Sequence, residues 1–141
     1  MSRIKVNLPD KFIYKTEIPV RITDLNYGGH LGNDSVLSIV HEARVRFLNN
    51  FGFTELDIDG KSILMIDALV NFVRESFYGD VLIIEINIAN IDAKGCDIFY
   101  KISNKETGKL VAAVKTGIVF YDLRDKKISN TPEKFINIFN N

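Results

Sequence analysis

Residues 35–52, SVLSIVHEARVRFLNNFG, place apolar side chains at 36, 37, 39, 40, 43, 47 and 48. That wide stripe at helical spacing predicts one long helix with a face to bury. Asn33 or Asp34 would cap its first turn, and Asn49, Asn50 and Gly52 would end it. From residue 61 the pattern changes to strands: 61–76 (KSILMIDALVNFVRES), 80–92 (DVLIIEINIANID), 96–104 (CDIFYKISN) and 109–122 (KLVAAVKTGIVFYD). The first is long for one strand and calls for a bend or bulge. Turns are expected at YGD (78–80, read as a hairpin), KGC (94–96) and KETG (105–108). Another strand, YKTEIPVRIT (14–23), precedes the helix, with Ile18, Val20 and Ile22 on one face. Pro19 lacks a ladder donor and puts it at an edge or near a bulge. TPEKFINIF (131–139) predicts a short C-terminal helix. A helix this apolar needs a sheet to lie on. The expectation is α+β: a curved antiparallel sheet of about five strands, in hairpin succession after the helix, wrapped around one long central helix. Such a sheet leaves an edge and a face to protect, which favours dimerisation.

The 141 residues fit one domain, 1–141, with no repeat or linker. Eighteen basic and eighteen acidic residues give a formal net charge of zero, so no long-range field favours nucleic acid or an anionic membrane. No segment approaches the ~20 apolar residues of a membrane span. The opening MSRIKVNLPDKF lacks the apolar run of a signal peptide, and Cys96 is the single cysteine. A reducing, cytoplasmic setting is expected. Cys96 reads as a small strand residue. The two histidines, His30 and His41, have no cysteine partner and no HxxxH or HExxH spacing, so no metal is expected. A GxSxG elbow, a Walker loop and a GxGxxG fingerprint are also missing, and no cofactor is expected.

Chemistry concentrates in DLNYGGHLGND, residues 24–34. The stretch lies between a strand and the N-terminus of the long helix, where unpaired N–H groups carry partial positive charge. Asp24, Asn26, His30 and Asn33 bring donors and acceptors, and Gly28 and Gly29 let a ligand approach the main chain. A helix N-terminus aimed at a carbonyl oxygen stabilises the charge that develops in acyl transfer. Each residue also has a plain structural reading. Asp24 and Asn26 make turns, His30 braces the helix, and Asp34 caps it.

The residues RITDLNYGGHLGNDSVLSIVHEAR (21–44) resemble the signature of hotdog-fold acyl-CoA thioesterases of the 4-hydroxybenzoyl-CoA thioesterase type. That family's pattern is Arg, Asp-x-Asp, a Gly- or His-containing turn, and a helix with Glu-Ala-Arg. It maps onto Arg21, Asp24, Asn26, Gly29, His30, Leu31, Gly32, Asn33, Glu42, Ala43 and Arg44. NFVRESFYGDVL (71–82) resembles the family's aromatic-x-Arg hairpin ending in Gly-Asp, and GIVFYD (117–122) its last core strand. The resemblance covers roughly 15–122. It implies hydrolysis of an acyl-CoA or acyl-carrier-protein thioester without a metal, in a homodimer or homotetramer with sites between subunits. It also implies that a carboxylate acts as base or nucleophile beside the helix N-terminus.

That carboxylate is usually the second Asp of Asp-x-Asp, and here the position holds Asn26, which accepts no proton at neutral pH. Three explanations remain open. Asn26 orients a water that Asp24 or another carboxylate deprotonates. Glu75, in RES where related acyl-carrier-protein thioesterases have a functional Glu, is that carboxylate. Or the chain binds acyl thioesters without cleaving them. The catalytic candidates are thus Asn26, His30, Glu75 and Asp24, with His30 favoured as a positioning group. Gly29, Asn33, Asp34 and Glu42 are the substrate-binding candidates, although Glu42 would also pair with Arg46 one helical turn on. A hydratase or dehydratase of the same fold ranks below both readings.

Overall fold

The stripe of residues 35–52 forms helix α1 (Asn33–Asn50), preceded by strand β1 (Tyr14–Pro19) and a 3-10 turn at Ile22–Asp24. The remaining elements are β2 (Ser62–Phe72), β3 (Val81–Ala89), β4 (Gly95–Asn104), β5 (Leu110–Asp122), β6 (Lys127–Ser129) and α2 (Glu133–Phe139). These come from a computed structural model that describes residues 3–140. Among the described residues, no helix is long and apolar enough to cross a membrane.

Neither expected side-chain cap forms on α1. Gly32 is the N-cap residue, and Asn33 and Asp34 already belong to the helix. Asp34 instead folds back, its Oδ1 lying where a side chain on Gly32 would begin. At the other end Phe53 N–H donates to the Leu48 carbonyl and Gly52 N–H to the Asn49 carbonyl, a glycine-based stop that satisfies two late carbonyls.

The sheet is antiparallel, in the order β1-β3-β4-β5-β2, with β6 added along the end of β5. Alternate residues of the central strands, Ile84, Ile86, Ile88, Ile98, Tyr100 and Ile102, pack with Val36, Ile39, Val40, Ala43 and Phe47 of α1. Phe135 of α2 closes one end of this core against Phe120, ring centroids 5.0 Å apart. β4 and β5 approach closely at Gly95, where a Cβ would meet the Ile118 carbonyl oxygen. Burial pushes the Cys96 thiol up, which disfavours the reactive thiolate.

The hairpin expected at 78–80 is corrected. The turn forms, with Asp80 N–H donating to the Phe77 carbonyl (3.0 Å). The strands on either side do not pair with each other: β2 pairs β5, and β3 pairs β1 and β4. Residues 73–80 therefore carry the chain past the ends of β5 and β4, from one edge of the sheet towards the other. A turn sequence specifies a local reversal, whereas strand partners are chosen by which faces can share the helix.

The long first segment of the sheet is bulged, as its length required: the β2–β5 register shifts between Met65 and Asp67. There the Asp67 carboxylate accepts hydrogen bonds from Gly117 N–H (2.9 Å) and the Lys115 ammonium (2.9 Å), giving a strand N–H an acceptor where the bulge interrupts the ladder. The sheet face opposite α1 is crossed by the N-terminal segment. Asn71 accepts from Val6 N–H and donates to the Ile4 carbonyl, and Asn87 donates to the Lys11 carbonyl.

Candidate active site

Residues 25–31 form a narrow loop, closed by a bridge between Leu25 and Leu31 and by Asn26 N–H donating to the His30 carbonyl (2.8 Å). Gly29 sits at its tip with φ 82°, a left-handed conformation that suits glycine. The Asn26 side-chain oxygen accepts from Gly28 N–H (2.9 Å) and His30 N–H (3.4 Å). Those two backbone donors fix which way the amide faces. Its NH2 group therefore points at His30 Nδ1, 3.4 Å away. Since that NH2 can only donate, the contact is a hydrogen bond in the tautomer that leaves Nδ1 as acceptor and carries the imidazole proton on Nε2.

His30 Nε2 faces Glu75, with Oε1 at 3.7 Å. Glu75 arrives on the 73–80 crossing, which docks against the loop: Leu31 N–H donates to the Ser76 carbonyl (2.7 Å), and His30 bridges Phe77. The Phe77 ring meets the imidazole edge-on at 6.4 Å. The His30 side chain is 32 % exposed and that of Glu75 is 65 % exposed, so the pair is open on one side. Three residues after His30 the helix begins. Among the described residues, the Asn33 and Asp34 N–H groups have no protein acceptor, as expected of a first helical turn.

Asp24 is placed differently. Its side chain is only 4 % exposed and pairs with Arg21. Its carboxylate accepts from Arg21 N–H (2.8 Å), Nε (3.2 Å) and Nη2 (3.1 Å). Burial pushes the Asp24 carboxyl up, but the Arg21 hydrogen bonds outweigh it and hold the group below the usual carboxylate value. Gly32 N–H also donates to the Asp24 carbonyl (3.0 Å), tying this residue to the helix N-cap. Glu42 accepts from Arg46 Nε (2.8 Å) one turn along α1. Glu42 and Arg46 line a groove of about 370 Å³ between the end of β1 and α1, with Arg21, Ser38 and His41, which takes in none of Asn26, His30 and Glu75.

The structure thus gathers Asn26, Gly29, His30 and Glu75 at one end of α1, next to Asn33 and Asp34, and engages Asp24 and Glu42 with arginines. Among the described residues no cluster of three potential metal ligands occurs. A polar chain running from buried Tyr100, Thr116 and Arg44 out to exposed His41 escaped sequence reasoning. Arg44 donates to Glu55 (2.8 Å) and to the Tyr100 hydroxyl (3.2 Å), the Tyr100 and Thr116 hydroxyls share a hydrogen bond (3.1 Å), and His41 meets Glu55 (2.7 Å). Burial raises the Glu55 carboxyl, and the Arg44 and His41 hydrogen bonds more than reverse it. Arg44 in the helix signature was the only signal for this chain; its partners lie 11 and 56 residues away.

Solved structures share this architecture. A 1,4-dihydroxy-2-naphthoyl-CoA thioesterase from Synechocystis superposes with a TM-score of 0.79 at 22% identity, over 86% of this chain and 91% of that one. A probable thioesterase from Escherichia coli gives 0.74 at 21% identity, over 87% and 93%. A Staphylococcus aureus protein solved in complex with CoA gives 0.80 at 16% identity, over 94% and 84%. At these identities the likeness establishes the hotdog fold: a curved antiparallel sheet around a central helix. No curated protein matches the sequence. The model of the Thioesterase-like superfamily matches residues 20–139, and the chain belongs to that family.

Proposed function

We propose that the protein hydrolyses acyl-CoA or acyl-carrier-protein thioesters, with Glu75 as the general base. The observation that carries this reading is the amide of Asn26. By donating to His30 Nδ1 it leaves Nε2–H directed at Glu75, so Glu75 is the proton acceptor of the cluster. Glu75 takes a proton from water, and the water oxygen attacks the thioester carbonyl carbon. The open Asn33 and Asp34 N–H groups receive the negative charge that builds on the carbonyl oxygen. The C–S bond then breaks, the proton returns to the departing sulfur, and a carboxylic acid and a thiol leave. His30 orients Glu75, and Asn26 orients His30. The CoA bound by the Staphylococcus aureus protein and the CoA thioester named for the Synechocystis protein support CoA as the carrier.

A second copy of the chain along the outer edge of β2 completes the reading. Leu64, Met65 and Ile66 are exposed on that unpaired edge, a long apolar edge of the kind that proteins cover. The β1 edge is shorter and ends at Pro19, and the sheet face opposite α1 is already crossed by residues 4–11. This favours edge pairing over face pairing. The open side of the His30–Glu75 pair is then free to meet the partner.

Free-thiol release with Ellman's reagent, over a panel of acyl-CoAs and acyl-carrier-proteins, tests the activity. Release above the uncatalysed rate with a clear preference supports hydrolysis. Asn26 itself favours a second reading, a non-catalytic acyl-thioester binder, because the loop has no free carboxylate of its own. A thioester bound tightly and recovered intact would establish that alternative.

A further inference from the structure

The Glu75–His30 geometry depends on a turn whose own fastening lies outside the site. The Asp80 carboxylate accepts two hydrogen bonds through Oδ2, from the Ser76 hydroxyl (2.9 Å) and from Phe77 N–H (2.9 Å). Ser76 is fully buried. The Asp80 carbonyl accepts from Val20 N–H (2.8 Å), and the Val20 carbonyl accepts from Gly79 N–H (3.2 Å). The turn is thereby pinned to the end of β1. On its other side the Ser76 carbonyl takes Leu31 N–H from the His30 loop (2.7 Å). Glu75, adjacent to Ser76, has among the described residues one ionisable neighbour within 4 Å, His30, and is otherwise largely exposed. Its place is set by the backbone that Asp80 holds.

We infer that Asp80 is a positioning residue: through Ser76 and Phe77 its carboxylate fixes the turn that sets Glu75 against His30. Asp80 touches neither His30 nor Glu75 and takes no part in proton transfer. The sequence order explains how so remote a group acts on the site. A crossing of eight residues, 73–80, spans the ends of two strands, and without a fastening its midpoint is free to drift. Misplacing a catalytic group by about 1 Å costs on the order of 10²-fold in rate. The two accepted bonds need an oxygen rather than a charge, so an amide at position 80 can take over both.

The inference rests on Glu75 being the base, and a double-mutant cycle tests it. Asp80→Ala lowers kcat by about 10–100-fold with KM within about threefold. Asp80→Asn recovers most of the loss, and Ser76→Ala, which removes one of the two bonds, falls between. In a Glu75→Gln background, Asp80→Ala costs less than about threefold, because the group it positions is gone. Equal losses in both backgrounds would overturn the inference, as would wild-type kcat for Asp80→Ala. Crystal structures of the variants read positioning without turnover. The Glu75 Oε1–His30 Nε2 separation should exceed 3.7 Å in Asp80→Ala and return to it in Asp80→Asn. If the protein releases no thiol but this separation changes as stated, the hydrolase reading fails and the positioning role stands. An unchanged separation in Asp80→Ala overturns the positioning role itself.

Discussion

Replacing Glu75 by Gln keeps the size of the side chain and removes its capacity to accept a proton. Its cost to stability is small. The carboxylate is 65 % exposed, and its one ionisable neighbour among the described residues, His30, is 3.7 Å away. An exposed pair of this kind contributes about 0–1 kcal/mol, which in a domain of this size shifts Tm by about 4 °C or less. Its cost to catalysis is large. Loss of a general base slows a reaction by about 10²–10⁴-fold, roughly 3–5 kcal/mol in the barrier. Asp24→Asn should behave the opposite way. That side chain is 4 % exposed, and the change weakens its bonds to Arg21 Nε and Nη2 while an amide oxygen can still accept Arg21 N–H. Weakening a buried charged hydrogen bond costs about 1–3 kcal/mol. The lower end applies because the Arg21 side chain, 66 % exposed, returns to water. Thiol-release kinetics and calorimetry on both purified variants separate the two effects. Glu75→Gln should lose turnover with Tm lowered by about 4 °C at most; Asp24→Asn should lower Tm by about 4 °C or more and keep kcat once folded. The reasoning is refuted if Glu75→Gln retains wild-type kcat/KM, or if Asp24→Asn abolishes turnover with Tm unchanged.

Asn26→Ala removes the amide that orients His30 and should lower kcat about tenfold or more with little change in Tm. Asn26→Asp puts a carboxylate in the loop and should retain or raise turnover, and wild-type activity in Asn26→Ala would remove Asn26 from the site. Stability should fall in acid. Asp24 and Glu55 are held below their ordinary values, and Asp122 falls from 3.8 to about 2, chiefly through the Asp125 backbone hydrogen bond and the Lys61 side chain. Such groups contribute fully above their unfolded values and progressively less as pH falls through the folded ones. Thermal melts should therefore decline as pH drops from about 4 towards 2, and a flat Tm across that window would contradict the assignment. Ile66→Lys places a charge on the outer edge of β2 and should shift the protein to monomer in sedimentation experiments; an unchanged sedimentation coefficient would move the interface elsewhere.

Much of this was written locally. The helix of residues 33–50, the strand segments, the turn positions and the loop at 24–34 each depend on side-chain spacing within a few residues, and spacing is visible in a sequence. The bulge in β2 was legible as excess length. Strand order was not. YGD does form its turn, yet β2 lies on the far side of β5, because pairing is decided by non-local register and by which faces can share one helix. β6 has three residues, too few to show a period. The expected caps failed for a related reason: the tight loop closure puts Gly32, rather than Asn33 or Asp34, at the point where the chain enters the helix. Candidate site residues could be named from their types, but their roles needed the third dimension. Asp24 and Glu75 are both acidic; one is buried under Arg21 and the other open beside His30. What brings Glu75 to His30, 45 residues earlier in the chain, is the same crossing that the hairpin reading missed. Only tertiary structure decides this, because it depends on where the ends of distant strands lie.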